Sequence, residues 1–308
     1  MNAKSQAPIG IILAVITAMC WGALPIAMKQ VLVSMDPATV VWYRFAISSV
    51  VLGAVLASRH HLPRLRVLPN YRWWWVLLAA CCGLLGNFVL FSSSLRYLTP
   101  TASQVIGQLS PVGMIFASVL LLKERMRLNQ VIGSTVLICG LAMFFNTSLK
   151  EIFTRLTDNT LGVILGVAAA TVWVMYGVAQ KVLLRRLSSA QILLLLYIFC
   201  AVVLFPIAKP SLVTQLTHWQ LACLLFCGAN TLIGYGALAE AMARWQAAQV
   251  SALITLTPLF TLLFSDVLAL FWPEIFSALP LDLIGYIGAF AVVAGAMFSA
   301  IGHRFLPQ

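Results

Sequence analysis

Two apolar stretches, Thr101 to Glu124 and Ala248 to Trp272, restrict this chain more than any other feature. Each is long enough to cross a bilayer, which takes about 20 mostly apolar residues. Each also carries a proline near its middle, Pro111 and Pro258, 147 residues apart. At that offset Gln104 falls on Ser251, Gln108 on Thr255 and Ser110 on Thr257. Residues seven and three places before a helical proline share its face. The proline brings no N–H, so the carbonyls of Gly107 and Ile254, four residues back, lose their usual donors. In lipid such a carbonyl must find a side chain, a water or a ligand. Interrupted apolar segments at matching places in two halves of a membrane protein point to a transporter's binding site. The alternative is a kink satisfied locally by Ser110 and Thr257.

The rest of the chain repeats this apolar character. Spans are expected at about 8–32, 38–57, 73–95, 101–122, 128–146, 160–184, 188–208, 218–240, 248–271 and 281–302. Only 9% of the residues are charged, against about 25% in a soluble domain, so the fold class expected is an all-α membrane protein with ten transmembrane helices. The net charge of +11 does not mark a nucleic-acid binder, because the basic residues fall in short clusters between apolar runs. With the N-terminus inside, the inner side holds Lys4, Arg59, Arg64, Arg66, Arg72, Lys123, Arg125, Arg127, Lys181, Arg185, Arg186, Arg244 and Arg304. The outer side holds Arg96, Lys150, Arg155 and Lys209. Thirteen against four of the 19 basic residues is a clear positive-inside bias, placing both termini in the cytoplasm. Trp73, Trp74 and Trp75 read as an interfacial belt.

Landmarks recur in order. Gly10 matches Gly162, Trp21 matches Trp173 and Lys29 matches Lys181 at an offset of 152. Gly133 and Gly140 keep the seven-residue spacing of Gly288 and Gly295. The domains expected are therefore a first repeat over 1–147, an outer linker over 148–158 and a second repeat over 159–308. Five spans per repeat is an odd number, so the two are inverted relative to each other, as in many transporters. The apolar residues Leu149, Ile152, Phe153 and Leu156 make the linker a short amphipathic surface helix. Asn146-Thr147-Ser148 matches a glycosylation acceptor, a pattern with many false positives.

Polar and aromatic residues inside spans are the candidate substrate-binding set. Trp21 and Trp173 sit mid-span, away from the interfaces where tryptophan collects, and with Tyr176 and Gln180 they form two facing walls or simply pack helices. Asn87 and Asn230 serve as ligands or as interhelical glue. Tyr43, Tyr197 and Tyr235 either line the cavity or pack as ordinary core residues, and Gln104, Gln108, Ser251 and Thr255 complete the set beside the helix breaks at Pro111 and Pro258. Arg44, Lys29 and Asp266 all lie near the outer boundary, so mutual pairing of Arg44 with Asp266 is expected, with Lys29 snorkelling. Asp266, the only acid well inside a span, is the coupling candidate. Glu240 and Arg244 are spaced to pair on one helix.

The seven cysteines lie within apolar runs, as small buried hydrophobes do. No ligand set for a metal, no HExxH or GxSxG motif and no GxxxxGK[ST] loop occurs, so no catalytic residue, metal, cofactor or nucleotide drive is expected.

The chain resembles the EamA family of the drug/metabolite transporter superfamily, and among its members uncharacterised bacterial inner-membrane proteins. The resemblance rests on the duplicated five-span layout, Trp21, the Pro37 to Arg44 segment, the Ala102 to Pro111 segment running to Lys123-Glu124-Arg125, and Gly133 with Gly140. It implies ten helices, cytoplasmic termini, a central cavity and alternating access, with export of amino acids or other small metabolites frequent. Extra residues before Gly288, including Pro280 and Asp282, depart from the pattern, as does Asp266. The expected activity is a secondary transporter of the bacterial inner membrane exporting a small metabolite. Multidrug efflux is the alternative, and a channel or structural membrane protein a more distant one. The expected partners are a small-molecule substrate and the lipid bilayer, with no nucleic acid. A homodimer is one assembly left open beside the monomer.

Overall fold

The structure is a computed structural model that describes residues 3–63, 68, 70–122, 127–146, 157–245, 247–276 and 281–302. Those residues form helices and no strand. In chain order they are α1 (Ala3–Val31), α2 (Pro37–Ser58), α3 (Tyr71–Tyr97), α4 (Pro100–Gly107), α5 (Leu109–Leu122) and α6 (Leu128–Phe144). Then come α7 (Asp158–Leu183), α8 (Ser189–Leu204), a 3₁₀ turn at Pro210–Gln215, α9 (His218–Arg244), α10 (Ala247–Ile254), α11 (Thr257–Phe271) and α12 (Leu283–Ile301). The 148–158 linker lies almost wholly outside the described residues, as do the basic residues at 64, 66, 123, 125 and 304.

Among the described residues seven helical segments are long and apolar enough to cross a membrane, and one of them, Gln249–Phe271, runs across the α10–α11 break. The sequence anticipated ten. The difference lies in length: α6 and α8 have 17 and 16 residues, short of the roughly 20 that span the hydrocarbon at 1.5 Å each. The fourth expected span is divided into the 8 residues of α4 and the 14 of α5. Large apolar side chains on many helices face outward, among them Val50 (71% exposed), Leu120 (76%) and Phe290 (56%). Lipid, not water, is the solvent that such a surface fits.

Helix starts are written in the local sequence. Asp36 and Thr99 accept from the backbone N–H groups of Thr39 and Ala102, each just ahead of a proline that needs no donor. Ser188 with Gln191 and Thr217 with Gln220 form reciprocal capping boxes.

Packing is densest where small residues let backbones meet. Along α6 and α12, Gly133 faces Gly295 and Gly140 faces Gly288; a Cβ on Gly288 would lie 2.4 Å from the Phe144 nitrogen. The equal glycine spacings thus mark one shared interface. Helices α3 and α7 meet at Gly83, whose added Cβ would stand 2.8 Å from the Tyr176 nitrogen. Helices α1 and α9 meet at Gly234, against the Trp21 indole. Helix α2 packs on α8 and α9, and α4 lies between α7 and α11.

Candidate functional site

The two prolines break their helices as the sequence required, but as restarts and not as kinks. Helix α4 ends at Gly107, Gln108 intervenes, and Pro111 sits in the first turn of α5. Helix α10 ends at Ile254, and Pro258 sits in the first turn of α11. A proline there costs nothing, because first-turn N–H groups have no intrahelical acceptor. The freed Ile254 carbonyl accepts from Thr257 Oγ1 at 2.6 Å, the local satisfaction weighed above. Thr255 donates to Ala252 O at 2.7 Å, while the buried Gln108 Oε1 has no partner. Ser251 is half-buried, and its carbonyl accepts from the Thr255 N–H.

A third proline matters more than the sequence reading allowed. Pro25 lies inside α1 and removes the donor for the Trp21 carbonyl, four residues earlier. Gln104 of α4 supplies the replacement, donating Nε2–H to Trp21 O at 2.8 Å. The adjacent carbonyls are held too: Asn230 of α9 donates to Cys20 O at 2.5 Å, and Thr261 of α11 to Gly22 O at 2.9 Å. Three consecutive carbonyls of α1 therefore accept side chains from three different helices. Gln104 and Asn230 act here as interhelical ties. Asn87 does the same on the other side, donating to Ala169 O of α7 at 2.9 Å.

Around this tie the aromatic residues form two pairs. Trp21 packs on Tyr235 with ring centroids 5.3 Å apart, and Trp173 on Tyr176 at 4.8 Å. Tyr176 belongs to the buried apolar cluster of Phe45, Phe88 and Tyr197, against which Trp173 and Tyr235 also pack. The two mid-span tryptophans, matched in sequence, thus each pair with a tyrosine at this one cluster.

Arg44 is 3% exposed. Its Nε–H donates to Thr231 Oγ1 at 3.2 Å, and its guanidinium carbon lies 4.4 Å from the centroid of the Phe88 ring. The expected pair with Asp266 does not form: among the described residues Arg244–Glu240 is the one ion pair, and that pair was anticipated. Depth along the bilayer brought Arg44 and Asp266 to one level, but α2 turns Arg44 inward while Asp266 lies half-buried on α11. Lys29 does more than snorkel. Its ammonium donates to Leu98 O at the end of α3, where a cation complements the helix dipole. Tyr43 donates to Pro210 O at 2.8 Å, at the 3₁₀ turn that precedes α9.

Thr231 and Phe88 were missed. Each adjoins a residue that was singled out, Asn230 and Asn87, and one position turns a helical face by about 100°. A recess of about 420 Å³ between α1, α9 and α11 is lined by apolar residues such as Ala27, Phe226 and Phe264, with Gln30 at its edge. None of the residues proposed from sequence lines it.

The sequence profile of the EamA-like transporter family matches the chain twice, over residues 8–146 and 160–301. The chain is 69% identical over 301 residues to the uncharacterized inner membrane transporter YhbE of Escherichia coli K12, covering 98% of this chain and 94% of that one. It is 49% identical over 305 residues to an uncharacterized transporter of Haemophilus influenzae, covering 99% of each. A solved crystal structure with 20% sequence identity shares the fold at a TM-score of 0.65, over 97% of this chain and 98% of its own.

Proposed function

Because this chain belongs to the EamA-like transporter family, a multi-pass transporter type of the inner membrane, we propose that it is a secondary transporter exporting a small metabolite, such as an amino acid or related compound, by alternating access. Its ten spans form two five-span halves inserted with opposite senses, both termini cytoplasmic, and catalysis is no part of its work. The double family match supports the halves. So does the contact pattern, in which α3 with α7 has its counterpart in α9 with α1, and α6 with α12 and α2 with α8 pair across the halves.

The observation that carries the reading is that the aromatic pairs Trp21–Tyr235 and Trp173–Tyr176 meet at one apolar cluster, with Trp21 tied through Gln104 to a broken helix. Rings give a substrate apolar walls, and a broken helix whose bonds are side-chain bonds exchanges them at low cost when the path opens to the other side. Asp266, the acid inside a span, is the coupling residue in this reading.

The test compares extracellular metabolites of cells lacking and overproducing the protein, then measures counterflow of the identified compound in proteoliposomes. Exchange should be accelerated by substrate on the opposite side, and replacement of Trp173 or Gln108 should depress it. A flux that opposite-side substrate leaves unchanged would mark a channel.

A further inference from the structure

Arg44 presents a buried charge without a counter-charge. An arginine stays protonated even when buried, and burial of an unpaired cation is strongly unfavourable unless something compensates it. The structure accounts for two sides of the guanidinium. Phe88 covers one face, itself stacked on Phe45 at 4.7 Å, and Thr231 accepts from Nε while donating its own hydroxyl to Cys227 O at 3.0 Å. No hydrogen bond or ion pair to the two Nη nitrogens is found among the described residues. A second unspent donor belongs to the same cluster as Phe88 and Phe45: Tyr197, 1% exposed, has its ring 5.7 Å from that of Phe45, and its buried hydroxyl has no partner among the described residues. Tyr235 packs against the same cluster and leads directly to Trp21.

We propose that the Nη edge of Arg44 and the Tyr197 hydroxyl form the seat for a carboxylate on the transported molecule, whose apolar body lies along Tyr235 and Trp21. The inference rests on the transport reading above and adds the charge class of the substrate. A planar carboxylate accepts two parallel N–H bonds from one guanidinium edge and takes a third from the phenol. It supplies the counter-charge that the protein withholds, so an uncharged isostere leaves the cation unpaired.

Benzoate and benzamide, equal in shape and different in charge, separate the possibilities when bound to the full-length protein in lipid nanodiscs. Radiolabelled benzoate should bind about tenfold or more tightly than benzamide competes, as a charged hydrogen-bonded group does over a neutral one, and benzylamine should not compete. R44Q should bring benzoate and benzamide within about twofold, and R44K should keep the preference in weakened form. Y197F, which deletes one oxygen and leaves packing intact, should weaken benzoate by about two- to tenfold with benzamide unchanged. It decides the matter should R44Q fail to fold. Failure of benzoate to bind, equal binding of the two, a preference that survives R44Q, or a Y197F protein equal to wild type would overturn the seat. Counterflow is scored separately. A benzoate preference without exchange removes the transport reading and keeps the seat; exchange without the preference does the reverse.

Discussion

Trp21 and Trp173 occupy matching positions on α1 and α7, yet the two helices are held by different chemistry. Around Trp21 the α1 ladder is interrupted by Pro25, and side chains of Asn230, Gln104 and Thr261 hold the carbonyls of Cys20, Trp21 and Gly22. Around Trp173 the ladder of α7 contains no proline; Gly83 brings α3 against the Tyr176 backbone, and Asn87 adds one tie. Hydrogen bonds between side chains and carbonyls can be exchanged for others, whereas a backbone seated on a glycine moves only if the whole helix leaves. Gly22 seats α1 on the α11 backbone too, so the difference lies in the side-chain ties, three on α1 against one on α7, within a pair that the sequence presents as equivalents.

Substituting the glycine on each side should expose that difference most strongly. In G83A the new methyl meets backbone atoms that have no way to yield, and the loss should reach about 3 kcal/mol, the upper part of the overpacking range. In G234A the methyl meets the Trp21 indole, 2.5 Å from its ring nitrogen; a side chain can turn, so the cost should be about 1 kcal/mol and transport should suffer more than stability. Thermal unfolding in detergent and counterflow measure the two effects. Equal stability losses would break the contrast.

Gln104 provides the next test. Q104L leaves the Trp21 carbonyl buried and unpartnered, at a cost of about 2 kcal/mol. P25A gives residue 25 an N–H that can close the missing bond, so the penalty of Q104L should be smaller in the P25A background by about 1 kcal/mol, a coupling that a double-mutant cycle resolves. Strict additivity would show that Gln104 does not replace the donor lost at Pro25.

The asparagines should differ more modestly. Asn230 ties α9 to Cys20 O but keeps an orphaned, buried Oδ1, so N230A loses a bond and an unmet acceptor together. Its net cost should be roughly zero, against about 0.6–1 kcal/mol for N87A. Unfolding midpoints compared in one detergent would show the order.

The smallest effect lies outside both regions. At the start of α12, the Asn146 amide and then the Gly285 N–H hold the Asp282 carboxylate below its usual range. A group with a depressed folded pKa stabilises above its unfolded value and loses that contribution as the pH falls through the folded one. D282N should therefore lower the Tm slightly at pH 7, and the gap to wild type should close as the pH is taken below about 4.

Several of these features were legible in the sequence, and the reason differs for each. The breaks near Pro111 and Pro258 follow from one residue type with one chemistry, and the helices part within four residues before each proline. The equal spacings of Gly133–Gly140 and Gly288–Gly295 did not tell that the two pairs face each other, since spacing carries no record of partners. The role of Gln104 was invisible for the same reason: its acceptor lies 83 residues away. Arg44 and Asp266 were matched by depth alone. A helix of known depth is still free to rotate, and inward rotation gave Arg44 to Thr231 and Phe88. Hydropathy also overstated α8, because Phe205, Ile207 and Ala208 continue the apolar run past its end at Leu204.

The central claim is that Trp21 and Trp173 flank one passage that opens to each side of the membrane in turn. Single cysteines at these two positions, in a chain with its seven native cysteines replaced, can be challenged with a membrane-impermeant thiol reagent from each face of oriented vesicles. The account predicts labelling of both positions from both faces, with substrate slowing all four reactions. Labelling from one face only, or only by a lipid-soluble reagent, would contradict it.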